Sequence, residues 1–329
     1  MYVESKILAP LFTLFTQLNA QAGTLPASLN SALSELNATA KTTGFELFNL
    51  GAYEKALLHL TLSGTAGDVE SQYAMATCTT RMDGGFHFIS DTTRKWLLLA
   101  AAQDHIPALI RLGTRESIAK AKELARNTAN AHKPASMIYM HILTQEIEWL
   151  QMAASSDDAE ALYELAAAYR KTPRLLPDPQ QSDTVIADLM QRAADAGCRR
   201  AVYELAFSED GVVSVTEKQK RITQLAFMGQ LRGLLEYGYA LAGLSRDKTR
   251  TPRTYGLEQN LPRACAVLKL ALTRTAGALE LPCVEHDYWA LVHQLSDTIE
   301  YEKNLLELQS DVPALFKVVD PTVILGWAH

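Results

Sequence analysis

The chain has 329 residues, 48% of them hydrophobic, which supplies a sizeable core and argues against wholesale disorder. Its 37 acidic and 31 basic residues leave a net charge of −6, which argues against a protein whose main task is gripping nucleic-acid backbone. Cys78, Cys198, Cys265 and Cys283 are widely scattered, with neither metal-type nor dithiol spacing, so buried free thiols are expected.

At the N-terminus, Ile7, Leu8, Leu11, Phe12, Phe15 and Leu18 recur at helical spacing, with Lys6, Thr13 and Gln17 opposite. This predicts a core-facing first helix and a cytoplasmic protein. The alternative is an exported, periplasmic protein. In that reading Ala20-Gln21-Ala22 is a signal-peptide cleavage site and the mature chain starts near Gly23. Glu4 in the leader and the polar interruptions oppose it. No run reaches ~18 apolar residues, so no membrane span is predicted. "GTLPASLNS" marks a turn and a second helix start, and residues 1–45 are expected to form a helical cap.

From there the chain repeats itself. "ALYELA" at 161–166 returns as "AVYELA" at 201–206, 40 residues later. Aligned on a turn position, five copies carry Gly67, Asp104, Asp157, Gly197 and Gly229. Three residues earlier stand Gly64, Ala101, Ala154, Ala194 and Ala226. Four residues later stand Ser71, Ala108, Ala161, Ala201 and Gly233, all small. Eight later stand Met75, Leu112, Leu165, Leu205 and Tyr237, and nine later Ala76, Gly113, Ala166, Ala206 and Gly238. Small residues let two helix axes approach, large neighbours fill the groove, and Gly or Asp suits a left-handed helix end. Steps of 37, 53, 40 and 32 residues indicate stacked helix pairs. The 53-residue step is expected to hold two lengthened helices broken near Lys133-Pro134. "DGVVSV" at 210–215 is expected to be a loop between helices.

This pattern resembles the Sel-one-like repeat family of tetratricopeptide-type solenoids. The resemblance covers about residues 45–245. It is carried by Trp96 with Ala100, Ala101 and Leu112-Gly113, and by Trp149 with Ala153, Ala154, Ala161, Tyr163 and Leu165. The clearest copy has Ala193, Ala194, Gly197, Ala201, Tyr203 and Leu205. Asp104 and Asp157 depart from the turn glycine, and "MDGG" at 82–85 is the best remnant of the family's glycine-rich loop. The fold implied is all-α: a right-handed superhelical α-solenoid of antiparallel helix pairs with helical caps at both ends. Its expected division is 1–45, 46–243 and 244–329. The function implied is non-enzymatic protein binding, within which lies a bacterial immunity or accessory protein that neutralises a secreted (type VI) effector toxin encoded nearby. The alternatives are a scaffold or envelope-assembly adaptor and, more remotely, a cell-wall-active hydrolase.

Beyond the repeats, "SRDKTRTPRTYG" at 245–256 is a basic loop. Helices are expected around "PRACAVLKLALTR" and "HDYWALVHQLSDTIEYEKNLLELQ", and the apolar tail from Val312 is expected to pack against protein. No nucleophile elbow, phosphate loop, dinucleotide fingerprint or zinc-protease spacing occurs, so no catalytic residue, cofactor, metal or nucleic-acid partner is assigned. His286 and His293, seven apart, are expected to be solvated or core-edge histidines. Tyr73, Tyr163 and Tyr203 share one repeat position, consistent with packing between helices. Positions three and seven after each turn lie on one face and hold Arg111, Glu160, Glu164, Arg200, Glu204, Arg232 and Glu236. These, with Arg246, Lys248, Arg250 and Arg253 of the basic loop, are the candidate protein-binding residues. The competing reading is ordinary salt pairing on a wet face.

Overall fold

The computed structural model describes residues 13–82, 89–129, 132–176, 178–208, 213–246 and 251–312. Among them every element longer than a single turn is an α-helix. Residues 13–20 form α1. Then come α2 (Ala27–Asn49), α3 (Tyr53–Thr65), α4 (Val69–Met82), α5 (Asp91–Ala102), α6 (Ile106–Leu112) and α7 (Arg115–Ala129). The order continues with α8 (Pro134–Thr144), α9 (Glu148–Ala154), α10 (Ala159–Lys171), α11 (Ser182–Asp195) and α12 (Arg199–Phe207). It closes with α13 (Val215–Phe227), α14 (Leu231–Ala242), α15 (Leu261–Thr275), α16 (Pro282–Val292) and α17 (Thr298–Asp311). The chain forms two compact units, the first ending at Leu124 and the second beginning at Ala125, inside α7. In the first, α2 to α6 pack in sequence, each on the next. In the second, α8 to α15 do the same, and α15 also packs on α16 and α17.

All five predicted turn residues have a left-handed backbone: φ is 98° at Gly67, 62° at Asp104, 56° at Asp157, 95° at Gly197 and 74° at Gly229. Each donates its N–H to the carbonyl three residues earlier at 3.0–3.1 Å. At four of the five the next N–H reaches back one further residue, as from Asp68 to Ser63 and from Cys198 to Ala193. This is the Schellman closure of a helix end. The residue after the turn then starts the second helix. Asp68, His105 and Asp158 each accept the N–H of the third residue on, through a side-chain oxygen or, in His105, through Nδ1. Two residues, three after α9, thus separate the end of one helix from the cap of the next, and the last of them is the left-handed one.

The small residues do what the alignment predicts. Ser71, Ala108, Ala161 and Ala201 are fully buried, and Gly233 takes the same place in α14. A β-carbon on Gly233 would lie 2.7 Å from Leu225 Cγ and 2.8 Å from the Leu225 carbonyl carbon, so α13 and α14 approach as closely as glycine allows. The ninth position fails once. α6 stops at Leu112, and Gly113, at φ 67°, is its left-handed C-cap instead of a seam residue.

The long step of the alignment needs a larger correction. Its two helices, α7 and α8, meet at a sixth left-handed turn on His132 (φ 56°), whose N–H bonds Ala129 O at 2.9 Å. Ala129, Ser136 and Met140, three before, four after and eight after, are all buried, as in the other copies. A histidine at the turn and steps of 28 and 25 residues hide this copy from sequence comparison.

Two aspartates stand where the pattern has glycine, and each gains a partner. Asp104 meets Lys120 Nζ at 2.5 Å, and Asp157 meets Arg192 at 2.6 Å. Asp tolerates the left-handed region better than most residues and there ties a turn to a later helix. Within 210–215, Ser214 is the N-cap of α13 and Val215 already belongs to that helix, while residues 209–212 lie outside the described residues. The predicted long C-terminal helix is two: α16 ends at Val292, and Asp297 caps α17 by accepting the Glu300 N–H at 2.8 Å. α14, α15 and α16 share a core of Leu235, Tyr239, Cys265, Leu268, Val284, Tyr288 and Leu291. Cys78, Cys198 and Cys265 are buried free thiols and Cys283 is exposed. The apolar tail beyond Val312, the "GG" of "MDGG", and Lys248 and Arg250 lie outside the described residues.

Candidate protein-interaction face

The second unit brings most of the predicted polar residues together. Arg200, on α12, reaches back to α10, where Nη2 lies 2.9 Å from Glu160 and 2.6 Å from Glu164. Its guanidinium carbon stands 4.2 Å from the centre of the Tyr163 ring. These side chains are only 21–29% exposed, so the charges meet in a partly desolvated setting. Burial opposes the charge on Arg200, but the two carboxylates outweigh it and hold its pKa above the ordinary value. The Tyr163 hydroxyl donates to Glu204, which also pairs with Arg170 at 2.9 Å. Burial, and then the Glu204 carboxylate, push the Tyr163 pKa well up.

One step further along, Arg232 of α14 repeats the arrangement. It lies 5.0 Å from the Tyr203 ring and 4.6 Å from the Phe207 ring, and it donates to the Tyr203 hydroxyl. Phe207 leads on to Tyr255, whose hydroxyl donates to Glu236 at 3.3 Å. Burial first, then Glu236, raise the Tyr255 pKa to about 12.

In the first unit, Arg111 of α6 sits 5.9 Å from the Tyr73 ring and donates to the hydroxyls of Thr77, at 3.1 Å, and Thr80. Tyr73 is fully buried, with His105 on it at a centroid distance of 4.8 Å. The three repeat tyrosines therefore do more than fill space between helices. Each is the platform for an arginine from the following pair. The platform could have been found in the sequence. Tyr163 and Tyr203 stand six residues after a turn, and Arg200 and Arg232 stand three after the next. Arg170, Phe207 and Tyr255 carried no such signal.

The basic loop joins this ridge. Arg232, Glu236 and Tyr239 of α14, with Leu244, Ser245, Arg246, Thr251 and Arg253, line a cleft of about 320 Å³. Arg253 bonds the Tyr255 hydroxyl. Behind the cleft, Tyr239 donates to the buried Asp287 at 2.8 Å. His286 and His293 are both exposed on α16 and its end, and among the described residues no group of three or more His, Cys, Asp or Glu is arranged to hold a metal ion. No helix among them is long and apolar enough to cross a membrane.

The fold defines a class, an all-α protein of helix pairs joined by short turns with one left-handed residue and bridged by arginine–tyrosine stacks. Comparison with known proteins adds two likenesses. One is to a protective antigen of uropathogenic Escherichia coli displaying an SLR fold. It has 17% identity and a TM-score of 0.41, and the match covers 85% of this chain and 62% of that one. The other is to a Sel1 repeat protein from Oxalobacter formigenes. It has 18% identity and a TM-score of 0.35, and the match covers 70% of this chain and 98% of that one. No family model and no curated protein matches the chain.

Proposed function

We propose that this chain is a non-enzymatic, protein-binding helical-repeat scaffold. One observation carries the reading. Alternate helices α10, α12 and α14 present a row of charged and aromatic side chains, held by their neighbours, that runs into a basic cleft. A pre-ordered polar face binds with little entropy left to lose, and its fixed charges select a partner by complementarity. Within that class we favour a cytoplasmic immunity or accessory protein that neutralises a secreted (type VI) effector toxin. That narrower reading rests on the resemblance of the repeats alone. The test is a pull-down of the tagged full-length chain from its native host, with mass spectrometry of the eluate and of the bait's own N-terminus. One stoichiometric partner, lost on Arg232→Glu with Glu204→Arg, supports the scaffold, and a neighbour-encoded toxin supports the narrower reading. No partner, or many unrelated ones, overturns both.

A further inference from the structure

We propose that the cleft beside α14 is a receptor for carboxylate side chains on an acidic segment of the partner, an inference that rests on the protein-binding reading above. Three arginines line it, Arg232, Arg246 and Arg253, against the single carboxylate of Glu236, a locally positive site in a chain of net charge −6. The arginines differ in how they are held. Arg232 is fixed in orientation by the Tyr203 and Phe207 rings, and among the described residues only the Tyr203 hydroxyl takes a hydrogen bond from it. Arg253 is steadied by Tyr255. Arg246 is exposed, and no hydrogen bond or ion pair engages it among the described residues.

A guanidinium presents five N–H donors in a planar fork, and a carboxylate is the anion that matches two of them at once. Arg232 is exposed, and among the described residues Nη1 is its one hydrogen-bonded nitrogen. Glu236 sharpens the choice. It disfavours a multiply charged phosphate ester in the same cleft, and it offers an acceptor to a backbone N–H beside the bound carboxylate. The opening is small, about 320 Å³, which suits one or two side chains of an extended segment and not a duplex. Elsewhere on this face Arg200 is held by Glu160 and Glu164, whereas among the described residues no carboxylate pairs with Arg232 or Arg246.

Fluorescence anisotropy of the full chain with a short fluorescein-labelled peptide of alternating Glu and Ser tests the inference. The controls are the Gln–Ser peptide and inorganic pyrophosphate. The Glu peptide is expected to bind and the Gln peptide not, with binding lost at about 0.5 M NaCl. Arg246→Gln and Arg253→Gln should each weaken it roughly two- to fivefold, and together about tenfold. Lys95→Gln, at an exposed site in the other unit, should change nothing. Arg246 holds no partner among the described residues, so its variant keeps the fold, and circular dichroism checks this. Equal binding of the Gln peptide, indifference to the double variant, or double-variant-sensitive binding of pyrophosphate alone would each overturn the proposal. The two readings separate. If the native partner still binds the double variant but not Glu204→Arg alone, a change outside the cleft lining, the scaffold stands and the cleft assignment falls. If the host yields no partner at all, the scaffold reading itself fails.

Discussion

Replacing Gly233 with alanine isolates the packing of one helix pair. Alanine is the better helix former by about 1 kcal/mol, so an unconstrained Gly233→Ala would stabilise α14. Here the new methyl would sit 2.7 Å from Leu225 Cγ, 2.8 Å from its carbonyl carbon and 2.9 Å from its carbonyl oxygen. Two of those three atoms are backbone, so no rotamer change relieves them and α13 must shift away from α14. Overpacking of this kind costs about 1–3 kcal/mol. With backbone in the way the upper end applies, and subtracting the propensity gain leaves a loss of about 2 kcal/mol. Leu225→Ala alone, at a fully buried site, should cost about 2–5 kcal/mol. In that background Gly233→Ala should cost less by at least about 0.5 kcal/mol, because the pair becomes the Ala–Ala of positions 100/108, 153/161 and 193/201. Urea unfolding followed at 222 nm measures all four corners of the cycle. A Gly233→Ala protein as stable as the parent, or an additive cycle, would refute the close-approach argument.

Four further outcomes are expected. Gly197→Ala, at φ 95° with open space around it, should lose about 1–2 kcal/mol, while Asp157→Gly at the equivalent turn should change stability by less than about 1 kcal/mol, by urea titration. Burial pushes the His105 pKa down to about 4, so its neutral form caps α6 through Nδ1. Its contribution is complete above the unfolded value near 6.5 and is lost as pH falls from 6.5 towards 4. The urea midpoint of the parent should therefore drop over that window by more than that of His105→Asn. Arg200→Ala leaves two carboxylates about a quarter exposed without their cation and should cost about 1–3 kcal/mol, with Arg200→Lys intermediate. A bulky thiol reagent should label Cys283 rapidly in the native protein and the other three only on unfolding, read by mass spectrometry, because burial raises the thiols of Cys78 to about 12 and Cys265 to about 11.

The turns were legible because they demand something rare. A short link with one left-handed residue between two closely packed helices needs Gly or Asp flanked by small residues, and such a constraint leaves its mark at fixed offsets. His132 escaped because it meets the same backbone demand without the usual residue, and only its burial pattern gives it away. The ridge was half legible. Charge at positions three and seven could be read, but its meaning could not, since the arginine partners of Glu160, Glu164 and Glu204 lie 34 to 40 residues away and are fixed only by how the pairs stack. The merging of Arg232 and Glu236 with Arg246 and Arg253 depends on how the chain after α14 lies against that helix, and no spacing rule encodes that.

The arginine–tyrosine stacks have a direction. Arg200 and Arg232 each belong to a later helix pair and cover a ring of the one before, Tyr163 and Tyr203. Remove the later pair and a ring and its hydroxyl are left uncovered. Remove the earlier pair and an arginine simply returns to water, where it is well solvated. Fraying from the two ends of this stretch is therefore unequal in consequence. During synthesis each tyrosine emerges before the cation that will shield it, so a chain released early would carry its newest aromatic platform bare, a ready mark for chaperones and proteases.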